Sequence, residues 1–296
     1  MKAKHWLNMA FAAVLALNAS GEQLDTAKIE QIMGVKGAMN ANENVFKIIV
    51  PRTDVKVSVD GRPMPPFMGV GSWVAFTPGM NDTMVMGDTA LFEDEVNPVM
   101  SVALDNGLAV TALHNHFFYD EPRVFFMHIS GEGSAAQLAT AVKRVWDKIK
   151  EIRAANPVPA TVFGDGPMPA KNSITGEPIA KILGVKGMAN NGMFKVVIGR
   201  PAQMSGVMLG ADMGVNTWAA FAGTDDNALV DGDFAVHEDE LLGVLKALRQ
   251  GGVNIVAIHN HMTGETPRTL FLHYWGRGQA AALANTLEAA LDTQSK

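Results

Sequence analysis

A run of residues in this chain repeats itself 145 positions further on. His114-Asn115-His116, followed by His128, returns as His259-Asn260-His261, followed by His273, with identical spacing. The flanks repeat at the same offset: Trp73 with Trp218, Gly87-Asp88 with Gly232-Asp233, Glu93-Asp94-Glu95 with Glu238-Asp239-Glu240, and Pro122-Arg123 with Pro267-Arg268. Self-similarity at a long fixed interval marks a duplicated structural unit. The fold must therefore be buildable twice within 296 residues, and each half must carry the same polar cluster. Six of the eight histidines serve this pattern, and clusters of imidazoles often bind metal or move protons.

The length suits two domains. With 48% apolar and 18% charged residues, the chain is globular with ample material for a core. A net charge of -6 and the lack of any basic run exclude a nucleic-acid backbone as partner. There is no cysteine, which removes disulfides, thiolate metal sites, a cysteine nucleophile and lipid attachment through sulfur. The first 21 residues have the order of a secretory signal peptide. Lys2 and Lys4 are followed by an apolar stretch from Leu7 to Leu17, interrupted at Asn8, and then by Ala19-Ser20-Gly21. A short helix packed on the body and an uncleaved anchor are the alternatives. Nothing later is long and apolar enough to span a bilayer, so a periplasmic or secreted location is expected.

The expected organisation is a signal peptide over residues 1–21, repeat domain 1 over 22–150, a Pro/Gly-rich linker over 151–173 and repeat domain 2 over 174–296. The linker carries Pro157, Pro159, Pro167 and Pro169 with Gly164 and Gly166, an extended composition. Each copy opens with a short helix ending at glycine, Gly34 or Gly184. Strands follow at Val45–Val50 and Ser72–Phe76, matched by Phe194–Ile198 and Thr217–Phe221. Helices are expected at Glu93–Asn106 and Glu238–Gln250, with their leading acids favouring the helix dipole. Alanine-rich helices close the copies at Ser134–Lys150 and Gln279–Ala290. The fold class is α+β: tandem domains, each a mainly antiparallel sheet with helices packed on one face. Trp73 and Trp218 read as core anchors or as the lining of a ligand pocket.

Leu108 to His116 alternates as a strand, with His114 and His116 on one face, and Val253 to His261 does the same. A seven-residue break containing a proline separates each from a second strand, so a hairpin is the simplest connection. A turn centred near Glu121 sets His128 opposite His114 and Phe126 opposite His116, and the matching register sets His273 opposite His259. Three imidazoles on one face are a recurring ligand set for zinc and other divalent metals. His114, His116, His128, His259, His261 and His273 are the candidate ligands, with zinc or copper as the ion. Asp120 and Glu265, each four residues past the second histidine of its motif, are candidate catalytic acids. Arg123 and Arg268 are candidate anion-binding residues, or partners of those acids that hold the turn. Asn115 and Asn260 point to the other face, as hairpin or core hydrogen-bonders.

Gly-Val-Lys-Gly at residues 34–37 and 184–187, Trp-x-Ala-Phe, Gly-Asp and above all His-Asn-His with Pro-Arg and the last histidine resemble one family. It is the bacterial LppY/LpqO-type proteins, the domain of unknown function 1259. The resemblance covers both copies. It implies an exported protein, often a lipoprotein, with duplicated domains, and it implies no particular activity. The chain departs from it in having no cysteine for a lipid, which points to a soluble form.

Three functional classes follow. The first is a divalent-metal site in each copy, suited to metal-assisted hydrolysis with the acid as general base. The second is a metal-free binding module for an anionic small molecule or a cell-envelope polymer. The third is a polar network that only stabilises the hairpin.

Overall fold

The computed structural model describes residues 24–80, 82–164 and 166–295; the expected leader lies outside the described residues. Copy one contains α1 (Thr26–Met33), β1 (Ala38–Asn40), β2 (Val45–Pro51), the two-residue β3 (Ser58–Val59) and β4 (Arg62–Pro63), β5 (Gly71–Pro78) and β6 (Thr83–Phe92). It continues with α2 (Glu93–Asp105), β7 (Ala109–His114), β8 (Asp120–Glu121), β9 (Val124–Gly133) and α3 (Ala135–Ala155). Copy two repeats the order, except for a counterpart of β8, with α4 (Gly176–Ile182), β10 (Gly187–Asn190), β11 (Met193–Gly199), β12 (Ala202–Met204), β13 (Val207–Leu209) and β14 (Asn216–Gly223). Then come β15 (Ala228–His237), α5 (Leu241–Gln250), β16 (Asn254–His259), β17 (Thr269–Gly278) and α6 (Ala280–Leu291). The copies thus share an α+β plan, and the helix boundaries have local causes. Asp25 accepts the Lys28 N–H at 2.9 Å to start α1, and Gly34 ends it in the left-handed conformation at φ 69°.

Twelve strands form one sheet in the order β1-β2-β5-β6-β9-β7-β16-β17-β15-β14-β11-β10. The two half-sheets meet where β7 pairs antiparallel with β16 at Leu113 and Ile258. These two residues are equivalents in the duplication, so a pseudo-twofold axis passes between them. The helices cover one face. Val74, Phe76, Val85, Leu91, Leu113 and Met127 on that face join Val96, Val99, Val142 and Val145 of α2 and α3 in a core that continues into copy two through Phe221, Val230, Leu245 and Leu272. Two expected domains therefore share a single core and a single sheet. The cause is the edge of β7: a strand end carrying Leu113 needs cover, and its own duplicate supplies it.

The opposite face is mostly open. Small clusters cap it locally: Val57, Val70, Ala90, Phe92, Val124 and Phe126 in copy one, and Ala202, Leu209, Val215, Ala235 and Phe271 in copy two. Trp73 and Trp218 lie on this face, only partly buried, each with a lysine over its ring (Lys47 at 4.3 Å, Lys195 at 4.2 Å). They are not core anchors. The chain between the copies leaves α3 at Ala155 and folds against copy two, with Phe163 edge-on to Trp275 at 4.8 Å and Arg277 donating to the carbonyls of Phe163 and Gly166 at 3.1 Å. Residues 151–155, expected in the linker, belong to α3. Among the described residues, no helix is long and apolar enough to cross a membrane.

Candidate functional site

Strand alternation decides which side chains meet. On β6, Val85 and Leu91 face the helices, so Asp88, Ala90 and Phe92 face the open side. On β9, Met127 and Ile129 face the helices, which turns Phe126 and His128 outward. His114 closes β7 on the same open face. Asp88 pairs with His128 across β6 and β9, and His128 pairs in turn with Ala112 of β7. In copy two, Asp233, His273 and Ala257 form the equivalent row.

The expected register is off by one pair of residues. His114 lies opposite Phe126 and His259 opposite Phe271, while His128 and His273 face Ala112 and Ala257. The ladder shifts at Thr111 and Val256, where each first strand carries one extra residue. A bulge of this kind has no signature in the alternation. His116 and His261 lie beyond their strands, yet still join the group. Each stacks flat on a buried phenylalanine, His116 on Phe126 with ring centroids 3.3 Å apart and His261 on Phe271 at 3.5 Å.

In copy one His128 Nε2 lies 3.1 Å from His114 Nε2 and 4.0 Å from Asp88 Oδ2. In copy two His259 Nε2 and His261 Nε2 are 3.1 Å apart, and Asp233 Oδ2 is 3.1 Å from His261 Nε2 and 3.9 Å from His259 Nε2. His273 stacks on His259 with centroids 4.8 Å apart, its Nδ1 3.3 Å from the Gly232 carbonyl, which leaves Nε2 for other partners. His261 Nδ1 is similarly placed, 2.9 Å from the Gly214 carbonyl. Such second contacts fix an imidazole's orientation and tautomer.

Asp88 and Asp233 are the carboxylates at the imidazoles. They are 6% and 2% exposed, and Oδ1 of each is buried with no hydrogen-bond partner among the described residues. Burial pushes the Asp88 carboxyl up, against the pull of His128, His116 and His114. Burial, followed by the neighbouring His114, holds His116 below the ordinary imidazole range. Burial likewise holds His259 down, partly offset by Asp233. Imidazoles with lowered affinity for protons are neutral at pH 7 and present lone pairs.

Asp120 and Glu265 have other partners. Asp120 Oδ2 accepts the Val124 N–H at 2.6 Å, while Glu265 Oε1 accepts the Thr269 N–H at 2.9 Å and Arg268 Nη1 at 3.1 Å. Each carboxylate thus ties the loop to the start of its second strand. Arg268 also donates to Asn260 Oδ1 at 2.9 Å, whereas Arg123 pairs with Glu93 at 3.5 Å. Asn115 donates to the Val124 carbonyl at 3.0 Å, a hairpin role.

The sequence reasoning passed over Asp88 and Asp233. The available signal was the repeated Gly-Asp in both copies, and the glycine has a reason to repeat. A Cβ at Gly232 would overlap the Trp218 carbonyl and the Tyr274 hydroxyl, and that hydroxyl donates to the same carbonyl at 2.9 Å.

A family model described as Domain of Unknown Function (DUF1259) matches residues 27–148 and again 177–293. The chain belongs to this family. Its two matched segments coincide with the two copies that carry a histidine–aspartate cluster, so the cluster is a feature of the DUF1259 unit as it occurs twice here. Among curated proteins none matches. Two solved structures are similar at a low level. One, a trimeric bacterial microcompartment shell protein, PduB, is 10% identical over 87% of this chain and 89% of that one, with a TM-score of 0.22. The other, the double-ringed trimeric shell protein MSM0271 from the RMM microcompartment, is 11% identical over 84% and 93%, with a TM-score of 0.20. At such scores neither likeness bears on fold or function.

Proposed function

We propose that each copy binds one divalent metal ion, zinc or copper, on the open face of the sheet. The ligands are His114, His116, His128 and Asp88 in copy one, and His259, His261, His273 and Asp233 in copy two. The observation that carries this reading is the buried aspartate beside the paired Nε2 atoms. Asp233, His259 and His261 each offer a ligand atom, and those atoms all lie within 4.8 Å of one another. In tetrahedral zinc with bonds of about 2.0–2.1 Å, neighbouring donors sit about 3.3 Å apart, close to the 3.1 Å between His259 and His261 and between His261 and Asp233. Repulsion between facing lone pairs is relieved by a cation between them. A free buried Oδ1 on each aspartate also suits an ion or its bound water.

Such an ion would supply hydrolytic chemistry if the aspartate left it, with three imidazoles holding the metal and the freed carboxylate serving as the base. Asp88 and Asp233 then replace Asp120 and Glu265 as the base, since the latter two are engaged with loop N–H groups. The anion-binding alternative is weaker because Arg268 is bound to Glu265 and Asn260. We also place the protein outside the cytoplasm on its leader-like first 21 residues, which cell fractionation would test.

Elemental analysis of untagged protein is the deciding experiment. Near two metal ions per chain are expected, falling to one in His114→Ala or His259→Ala. Asp233→Asn should weaken binding in copy two by at least about 10-fold. Failure to retain zinc or copper after incubation with either would overturn the proposal.

A further inference from the structure

The two histidine clusters are neighbours across the seam. Leu113 of β7 pairs antiparallel with Ile258 of β16. Carried one residue to either side, that register sets His259 beside Ala112 and His114 beside Ala257. Ala112 pairs with His128 and Ala257 with His273, so both alanines share the open face with the histidines. One row across the sheet therefore holds Asp88, His128, Ala112 and His259, and the next holds Asp233, His273, Ala257 and His114. Each copy thus places one histidine in the other copy's row.

With strands about 4.8 Å apart and alternate residues about 6.7 Å apart, the Cα atoms of His114 and His259 are about 8 Å from each other. On the same spacing the centres of the two clusters are about 10–15 Å apart. That is well beyond the roughly 3.5–4 Å at which two ions act on one substrate oxygen. A ligand shared by both must be elongated. The ground between the clusters is low, because Ala112 and Ala257 raise only methyl groups, both partly exposed. Ala112 and His259 also line one cleft of about 360 Å³, so open space joins a strand of copy one to a histidine of copy two.

We propose that the two clusters form one bipartite site for an elongated dicarboxylate, with a carboxylate on the ion of each copy and an apolar chain lying over Ala112 and Ala257. Zinc accepts carboxylate oxygen and expands from four ligands to five, and the alanine floor favours methylenes over polar groups. The pseudo-twofold axis passes through this floor, so a ligand with like ends meets like groups. The inference rests on metal binding in both copies.

The test is isothermal titration calorimetry on the zinc-loaded full chain, with decanedioate, pentanedioate and decanoate as probes. Decanedioate should bind one per chain and at least about 100-fold more tightly than decanoate, because its second carboxylate binds intramolecularly. Pentanedioate, too short to span, should bind no better than decanoate. Ala112→Phe, at a partly exposed position, should keep both ions by elemental analysis and lose the decanedioate advantage. His259→Ala should keep one ion and lose it as well. Two bound ions with no preference for decanedioate would overturn this inference and leave the metal sites standing. So would a preference that survives Ala112→Phe. Protein that takes up no zinc would overturn both readings.

Discussion

Asp88 and Asp233 depend on the glycines before them, and the two copies differ in how tightly. A Cβ at Gly232 meets the Trp218 carbonyl and the Tyr274 hydroxyl, whereas at Gly87 it meets the Trp73 carbonyl at 2.8 Å and a movable Ile129 side chain at 3.2 Å. Gly232→Ala is therefore expected to destabilise the protein by about 1–3 kcal/mol, and Gly87→Ala by less. Urea denaturation of the two variants compares them directly, and the reverse order would refute this account of the repeated glycine. Tyr119 offers a second residue-scale test. It sits in the left-handed region at φ 60° where copy two has Gly264 at φ 81°. Tyr119→Gly should relieve strain of about 1 kcal/mol, seen as a raised Tm. That the histidines of each copy gather on one face was legible from their spacing. The aspartates were not, because Gly-Asp inside Thr83–Phe92 reads as a turn signal and hides the strand that carries it. That strand is buried on both faces over its second half, so no alternation betrays it.

The starts of α2 and the segment leading into α5 show where reasoning from charge stopped short. Their acids suit a helix dipole, but Glu95 and Glu240 are buried and do more than that. Glu95 accepts the Phe92 N–H at 2.9 Å and a two-pronged contact from Arg52 at 2.8 and 3.0 Å, with Arg153 Nε 2.9 Å away. Glu240 accepts the His237 N–H at 3.0 Å, Arg200 at 2.6 Å and the Ser295 hydroxyl at 2.6 Å. Apart from the Phe92 and His237 N–H groups, the partners lie just past β2 and β11, on α3 and at Ser295, beyond the reach of any local pattern. Glu95→Gln, which removes the buried carboxylate but leaves Arg52 paired with Asp54 and Arg153 with Asp94, is expected to lower stability by about 1.5–3 kcal/mol. Burial works to raise the Glu240 carboxyl, but hydrogen bonds from Ser295, His237 and Arg200 outweigh it and hold it at about 2, against an ordinary 4.5. A carboxyl lowered on folding adds stability that is complete above its unfolded value and lost as the pH falls towards its folded one. Between pH 4.5 and about 2, the wild type should lose stability more steeply than Glu240→Gln. Parallel curves from chemical denaturation would exclude that linkage.

At the scale of the molecule, duplication was evident in the sequence, as was the α+β plan of each copy, but the fusion of the two sheets was not. A pair of equivalent strands meeting across an axis has no connecting turn and no local periodicity to announce it. The geometry of that meeting makes a further prediction. Leu113 and Ile258 are equivalent and pair with each other, so the interface is self-complementary in the manner of a twofold dimer. Copy one alone would expose the edge of β7, together with the α2 surface that packs on α5 in the full chain. An unpaired strand edge beside apolar surface is a template for association. A fragment ending at Ala155 should therefore form a homodimer in which β7 pairs with β7 of a second molecule through Leu113. Light scattering after gel filtration would show twice the fragment mass, and Leu113→Lys should shift the population towards monomer. A folded monomer at micromolar concentration would mean that each copy closes its own edge. The twelve-stranded sheet would then be an addition to two self-sufficient units, not a condition of their folding.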